Sequence, residues 1–303
     1  MCEFARSAAP YRFPLKEARE VASAGSGSLQ LVRFTGGEPL LHRELPAIVA
    51  AFATSGLMTS VITNGGSLAE RRGELVAAGL DQVVVSLDSP EAADHDRFRQ
   101  TPGLFERAVA GISAIRTKAP QIRTRVNTVA GPHNVGQLPE MFDLLARLGV
   151  GNWSIIPLKA ADGSFRYPHP ERALAHYRRF QEFVADRPGP RLVGYSANWM
   201  GRTEDEVRRY MVEGRPMTPR GPCRVVDLVR YYTPRSGESF PCNCIPHRQA
   251  GMEFATPWRQ DLEGGAPAAW LREHGPSTCT GCEPANAALG DGASDLTVDP
   301  FAF

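Results

Sequence analysis

Residues 29–52 read LQLVRFTGGEPLLHRELPAIVAAF, a short β-branched run, a glycine turn and an apolar-periodic stretch in direct succession. Leu29–Phe34 reads as a buried strand. Gly36-Gly37-Glu38-Pro39 is the turn at its end, with Pro39 as a helix-opening proline. Behind it, Leu45, Ile48, Val49 and Phe52 fall at i, i+3, i+4 and i+7, one stripe of an amphipathic helix. The same pattern repeats outward along the chain. Further strand-like runs are Thr59–Thr63, Gln82–Leu87, Arg123–Val129 and Trp153–Leu158. Helical stripes at Phe105, Val109, Ile112 and Ile115, and at Leu138, Met141, Phe142 and Leu145, lie between them. Parallel strands need crossovers of this length, so the alternation predicts an α/β fold, an open sheet or a partial barrel. In either, ligands bind at the carboxyl ends of the strands.

The whole chain fits that reading. Its 303 residues are 42% hydrophobic and 22% charged, enough for a sizeable core. A net charge of +1 removes the electrostatic case for nucleic acid or a membrane surface as partner. The longest apolar stretch, Leu45 to Met58, is too short to span a bilayer and is broken by Thr54, Ser55 and Gly56. With no export signal visible, a cytoplasmic location is expected. Three segments are expected: an α/β unit over 1–160, a helical connection and linker over 161–222, and a cysteine-rich unit over 223–303. Of the six cysteines, Cys2 stands alone and five crowd between 223 and 282. Clustered thiols in a reducing compartment bind metal or do redox chemistry more often than they form disulfides.

Polar side chains recur where the strands end. Thr63-Asn64-Gly65 ends the second run, Ser86-Leu87-Asp88 the third, and Asn127 lies on the fourth. Each alone is ordinary turn chemistry. Together with Gly36, Gly37, Glu38 and Pro39 they suit a ligand carrying an ammonium group and ribose hydroxyls. These motifs, in this order, resemble the radical S-adenosylmethionine (SAM) superfamily. The likeness is to the branch that includes the molybdenum-cofactor cyclase and the anaerobic sulfatase-maturing enzymes, and it runs from Cys2 to about Leu158.

The resemblance implies a partial (β/α)6 TIM-like barrel with a small cysteine-rich C-terminal domain. It also implies cleavage of SAM to a 5′-deoxyadenosyl radical, which abstracts hydrogen from a substrate. In that family Gly-Gly-Glu-Pro binds the methionine amino group, and the Ser-Leu-Asp strand end lies at the ribose. Cofactor-binding roles are therefore expected for Gly36, Gly37, Glu38, Pro39, Thr63, Asn64, Ser86, Asp88 and Asn127. The family's [4Fe–4S] cluster is held by Cys-x3-Cys-x2-Cys on the loop after the first strand. Cys2 matches the last of these, which puts the other two, and the first strand, upstream of Met1. Either the start is misplaced or the chain is a truncation, and as it stands the cluster is expected to be incompletely ligated.

In the tail, Cys223 is followed after 13 residues by Gly237 and after four more by Cys242, with Cys279-x2-Cys282 beyond. On chemistry alone such a set suits zinc or [4Fe–4S] equally. The spacing resembles the opening of the SPASM and Twitch extensions of this superfamily. That implies one auxiliary [4Fe–4S] cluster on Cys223, Cys242, Cys279 and Cys282, with Cys244 a spare ligand or a buried thiol. The compact form resembles aminocyclitol dehydrogenases and cytosylglucuronate decarboxylases, and implies a small sugar, cyclitol or nucleoside substrate in natural-product biosynthesis. An electron donor such as flavodoxin or ferredoxin is implied as well. Arg33 and Lys159 are candidate contacts to a substrate carboxylate or phosphate. Two other readings stay open: a peptide-modifying maturase, and a non-catalytic SAM-binding relic with a zinc tail.

Overall fold

The computed structural model describes residues 12–158, 169–192, 230–240 and 256–264, together with 205, 208 and 212. Six strands make one sheet: β1 Leu31–Phe34, β2 Met58–Thr63, β3 Gln82–Ser86, β4 Arg123–Ala130, β5 Asn152–Pro157 and β6 Arg191–Leu192. They lie in the order β1-β2-β3-β4-β5-β6 and every neighbouring pair is parallel. The helices are α1 Leu15–Gly25, α2 Leu45–Thr54, α3 Leu68–Ala77, α4 Ala92–Arg99, α5 Leu104–Lys118, α6 Leu138–Arg147 and α7 Pro170–Val184. Strands added always on the same side, with crossovers of one hand, leave the helices on one face and curl the sheet toward a barrel. A doubly wound sheet would reverse direction, and this one does not. The expected α/β partial barrel is therefore the observed fold.

Residue alternation sorts the two faces of the sheet. Val61, Val83, Val85, Val126, Trp153 and Ile155 pack with Leu68, Leu75, Ile112, Leu138, Phe142 and Phe180 of the helices in one buried core. The stripes read from the sequence are those that are buried: Leu45, Ile48, Val49 and Phe52 on α2, and Leu138, Met141, Phe142 and Leu145 on α6. On α5, Phe105, Ile112 and Ile115 are buried and Val109 packs partly exposed beside them. The alternate residues, Ser60, Gln82, Ser86, Arg125, Asn127 and Ser154 among them, take the opposite, helix-free face.

Two features differ from the sequence reading. The helix after Pro39 does not begin there: Pro39–Leu41 forms a separate 3-10 turn and α2 starts at Leu45, with Pro46 in its first turn. The sheet also continues past residue 160. Helix α7 buries Ala173, Leu174, Tyr177 and Phe180, and the strand Arg191–Leu192 then pairs with Asn152 and Trp153. Two residues are too few to show alternation, and the prolines beside them read as a linker.

A smaller antiparallel sheet comprises β7 Tyr231–Thr233, β8 Glu238–Phe240 and β9 Thr256–Pro257, followed by α8 Trp258–Gly264. The β7–β8 turn closes with Gly237 at φ 69°, its N–H donating to the Thr233 carbonyl at 3.0 Å. Gly237, the glycine between Cys223 and Cys242 in the sequence, is thus the left-handed residue at the turn of the hairpin over 231–240. This unit docks on the start of the barrel. Trp258 shares a second core with Ala18, Val21 and Ala22 of α1 and Ile48 and Phe52 of α2. The Tyr232 hydroxyl donates to Glu17, and Arg259 pairs with Glu20.

Candidate functional site

The Gly36–Gly37 turn stands in the open. Gly36 has φ 133°, a conformation that side chains disfavour, and among the described residues a Cβ added at either glycine meets nothing within 4 Å. Glu38 fastens the turn to the next strand. One carboxylate oxygen, Oε1, accepts from the Leu40 N–H at 3.0 Å and the Thr63 hydroxyl at 2.6 Å. The other, Oε2, accepts from the Asn64 N–H at 2.7 Å. A carboxylate oxygen has two lone pairs, so Oε2 keeps one for a donor approaching the turn.

The sheet register places the other expected residues in one row. Ser86 lies beside Asn127, and Asn127 beside Ser154. Thr63 pairs with Val85, so Asn64 continues the row on the other side of Ser86. Asn64, Ser86, Asn127 and Ser154 therefore form one row across four strands on the helix-free face, about 4.8 Å apart per strand, with Asn64 and Ser86 at the carboxyl ends of β2 and β3 and Asn127 and Ser154 mid-strand in β4 and β5. Among the described residues the Ser86 hydroxyl forms no hydrogen bond. Asn64 uses its Oδ1 to accept from Gly66 N at 2.8 Å, and Asn127 Oδ1 accepts from Arg125 Nε at 3.0 Å. Both keep their amide donors on this row. Ser154 went unnoticed in the sequence, yet its Oγ is fully buried with no hydrogen-bond partner. An orphaned buried hydroxyl costs about 1–3 kcal/mol. The signal for it was present: Asn152 and Ser154 alternate with Trp153 and Ile155.

Thr63 and Asp88 sit one layer back. The Thr63 hydroxyl donates to Glu38 and accepts from Gly65 N at 3.0 Å, which commits its proton and one of its two lone pairs to the brace. The Asp88 side chain is 1% exposed and bridges two elements: Oδ1 accepts from Val129 N at 2.8 Å, and Oδ2 pairs with Arg99 Nε at 2.5 Å. Asn134 closes the corner, its Nδ2 donating to the carbonyls of Asp88 at 2.7 Å and Val129 at 2.8 Å. These residues hold the strand ends in place for the row in front of them.

His95 completes this brace from α4. It is fully buried, and its Nδ1 accepts the Asp88 N–H at 3.1 Å, so the proton sits on Nε2. Burial holds its pKa below the ordinary 6.5, more strongly than the nearby charge of Asp88 raises it. The unfolded chain therefore takes up a proton near pH 6.5 that the folded chain refuses. Stability is complete above that pH and falls as the pH drops below it. Urea midpoints measured from pH 7.5 to 5.5 should decline, and the decline should be shallower in His95→Gln, which keeps an acceptor for Asp88 N–H. Equal slopes in the two proteins would remove His95 from this role.

Arg33 lies lower on the helix-free face, in register with Ser60 and Gln82. Its Nε donates to Ser60 Oγ and its Nη2 to Gln82 Oε1, both at 3.3 Å, while Ser60 donates to Gln82 at 2.8 Å. Arg125, missed in the sequence reading, is buried two residues before Asn127 on the same face. Trp153 belongs to the core: its indole N–H donates to Thr128 Oγ1 at 2.8 Å and its ring stands edge-on to Phe180 at 5.5 Å. Lys159 and the six cysteines, Cys2, Cys223, Cys242, Cys244, Cys279 and Cys282, lie outside the described residues. Among the described residues no helix is long and apolar enough to cross a membrane.

Residues 2–145 match the family model of the Radical SAM superfamily. The chain is 31% identical over 129 residues to the AdoMet-dependent heme synthase of Nitratidesulfovibrio vulgaris Hildenborough, covering 42% of this chain and 35% of that one. It is 36% identical over 202 residues to the PqqA peptide cyclase of Gluconobacter oxydans, covering 60% of this chain and 56% of that one. The chain thus spans between a third and just over a half of these curated relatives. Among solved structures, Streptococcus suis SuiB bound to S-adenosylmethionine superposes with a TM-score of 0.64 at 15% identity. That match covers 97% of this chain and 69% of SuiB, and shows a shared fold.

Proposed function

We propose, for a chain whose residues 2–145 belong to the radical SAM superfamily, that the helix-free face of the sheet binds SAM and presents it to a small polar substrate. The observation that carries this is the open Gly36–Gly37 turn, braced by Glu38, at the head of the row Asn64, Ser86, Asn127 and Ser154. The residues fit the ligand. Backbone groups of Gly36 and Gly37 and the spare lone pair of Glu38 Oε2 take the ammonium, with Pro39 fixing the turn's exit. Asn64, Ser86 and Asn127 offer donors and a hydroxyl to the ribose. Thr63 and Asp88 hold those groups in position. Cys2 would be one ligand of a [4Fe–4S] cluster that needs two further thiolates, and the completed cluster would supply the electron that cleaves SAM to a 5′-deoxyadenosyl radical for hydrogen abstraction.

The tail is proposed as a Twitch-like domain over 223–303, joined to the barrel by 161–222. Cys223, Cys242, Cys279 and Cys282 would hold one auxiliary [4Fe–4S] cluster, supported by the hairpin spacing around Gly237. Such a cluster has no open iron and relays electrons. Cys242→Ser or Cys279→Ser should lower the iron and sulfide content of the anaerobically reconstituted protein by one cluster. Cys244→Ser should leave it unchanged. Equal iron in all three, or zinc in place of iron, contradicts the assignment.

The substrate reading is a sugar, cyclitol or nucleoside, held against Arg33 and the residues around it, and a flavodoxin or ferredoxin supplies the electron. Dehydrogenation and decarboxylation are both open to such a site. A second reading, peptide modification, is favoured by the 36% identity to a peptide cyclase. Release of 5′-deoxyadenosine separates them: candidate sugars and nucleosides should stimulate it and precursor peptides should not. Stimulation by a peptide alone overturns the first reading in favour of the second.

A further inference from the structure

Among the described residues a Cβ added at Gly36 or Gly37 meets nothing within 4 Å, so no side-chain packing at those positions fixes the turn. Its place is therefore set by what grips the chain on either side. On one side Glu38 is tied to Thr63 and Asn64. On the other stands Arg71, in the first turns of α3, with a side chain 16% exposed. Its Nη1 donates to the Leu40 carbonyl and, at 2.9 Å, to the His42 carbonyl, while its Nε pairs with Glu74. Those two carbonyls belong to the 3-10 turn Pro39–Leu41 and its C-cap. The Leu40 carbonyl accepts from no backbone N–H among the described residues, and the His42 carbonyl accepts from Leu45 N at 3.2 Å, so the guanidinium supplies the first with its donor and the second with another. His42 adds a bond from Nε2 to the Phe13 carbonyl at 3.1 Å.

We infer that Arg71 is a positioning residue for the Gly-Gly-Glu-Pro turn, and through it for the ammonium end of the bound cofactor. The inference rests on the SAM reading above only in its second part. Both anchors, Glu38 through Thr63 and Asn64 and Arg71 through Leu40 and His42, run from the segment Thr63–Arg71. The second strand end and the helix behind it thus hold the turn of the first. Both carbonyl contacts come from one nitrogen, Nη1, while Nε is held by Glu74, so the planar guanidinium is aimed from two sides. A lysine ammonium keeps the charge and loses the Nε contact that aims it. Groups that bind a ligand need their geometry held to about 0.5 Å, so a loosened turn weakens binding of the ammonium and leaves the nucleoside part unaffected.

The test compares wild type, Arg71→Met, Arg71→Lys and, as a control on the same helix, Arg72→Met. Amide hydrogen exchange of the chain without ligand should rise in Arg71→Met at residues 36–42 and stay unchanged in β3 and β4. Equilibrium binding should show SAM weakened about tenfold in Arg71→Met, less in Arg71→Lys and not in Arg72→Met. Binding of 5′-methylthioadenosine, which lacks the aminobutyrate arm, should be the same in all four. Exchange that rises across the whole sheet, or equal loss for both ligands, means a general structural role and overturns the inference. Unchanged SAM affinity in Arg71→Met overturns its second part. A wild-type protein that binds neither ligand overturns the SAM reading itself, and the exchange data then still decide whether Arg71 holds the turn.

Discussion

Glu38→Gln is expected to weaken SAM binding about a hundredfold and to lower 5′-deoxyadenosine formation at least as much. The carboxylate accepts from Leu40 N, Thr63 Oγ1 and Asn64 N, and it keeps one lone pair facing the open turn. A glutamine amide replaces one accepting oxygen with a donor. Set on the Asn64 side, that NH2 faces an N–H; set on the Thr63 side, it faces a hydroxyl that donates. One buried donor is left unmet either way, which costs about 1–3 kcal/mol. The charge that attracts an ammonium is lost as well, and a charge-assisted hydrogen bond contributes about 1.5–3 kcal/mol, so a hundredfold, about 2.8 kcal/mol, is the expected scale. Calorimetric titration with SAM checks it. Wild-type affinity in Glu38→Gln would mean that Glu38 braces the turn without touching the cofactor.

Trp153→Ala is expected to have the largest effect on stability, about 3–5 kcal/mol. The ring is fully buried between Phe142 at 6.4 Å and Phe180 at 5.5 Å, where α6 and α7 close over β5. Its indole N–H also meets the Thr128 hydroxyl, which in turn donates to the Leu87 carbonyl at 2.6 Å. Removing the ring opens a cavity and loosens a link between the ends of β3, β4 and β5. A domain is stable by only about 5–15 kcal/mol, so this is a large share. Trp153→Phe, which fills most of the space, should lose far less. Urea unfolding of the two variants measures the difference, and a loss below about 1 kcal/mol in Trp153→Ala would show that the helices do not depend on the ring.

Much of this was legible in the residues themselves. The β-branched runs and the stripes on α2, α5 and α6 marked the elements, because burying one face of a helix and one face of a strand imposes periods of 3.6 and 2. The glycine turn and the polar strand ends were legible too, since parallel strands deliver their carboxyl ends to one edge. The sixth strand was hidden by its length. The roles within the site were hidden for a different reason. Thr63, Asp88, Asn64 and Ser86 are all short polar residues at strand ends, and only the register and the hydrogen bonds separate those on the helix-free row from those bracing it. Arg71 and Arg99 gave no local signal, because an arginine on an amphipathic helix reads as solvated surface. In the structure Arg71 reaches back to the 3-10 turn that follows β1, and Arg99 to Asp88 just past the end of β3.

The most direct test of the account is the fate of SAM on the protein with its cluster ligation completed by a Cys-x3-Cys-x2-Cys that closes on Cys2, reconstituted anaerobically with iron and sulfide and reduced with dithionite. The account predicts that 5′-deoxyadenosine and methionine form together in equal amounts, and that Glu38→Gln with its cluster intact forms far less of both. Intact SAM recovered from a reduced, cluster-loaded wild-type protein would contradict it.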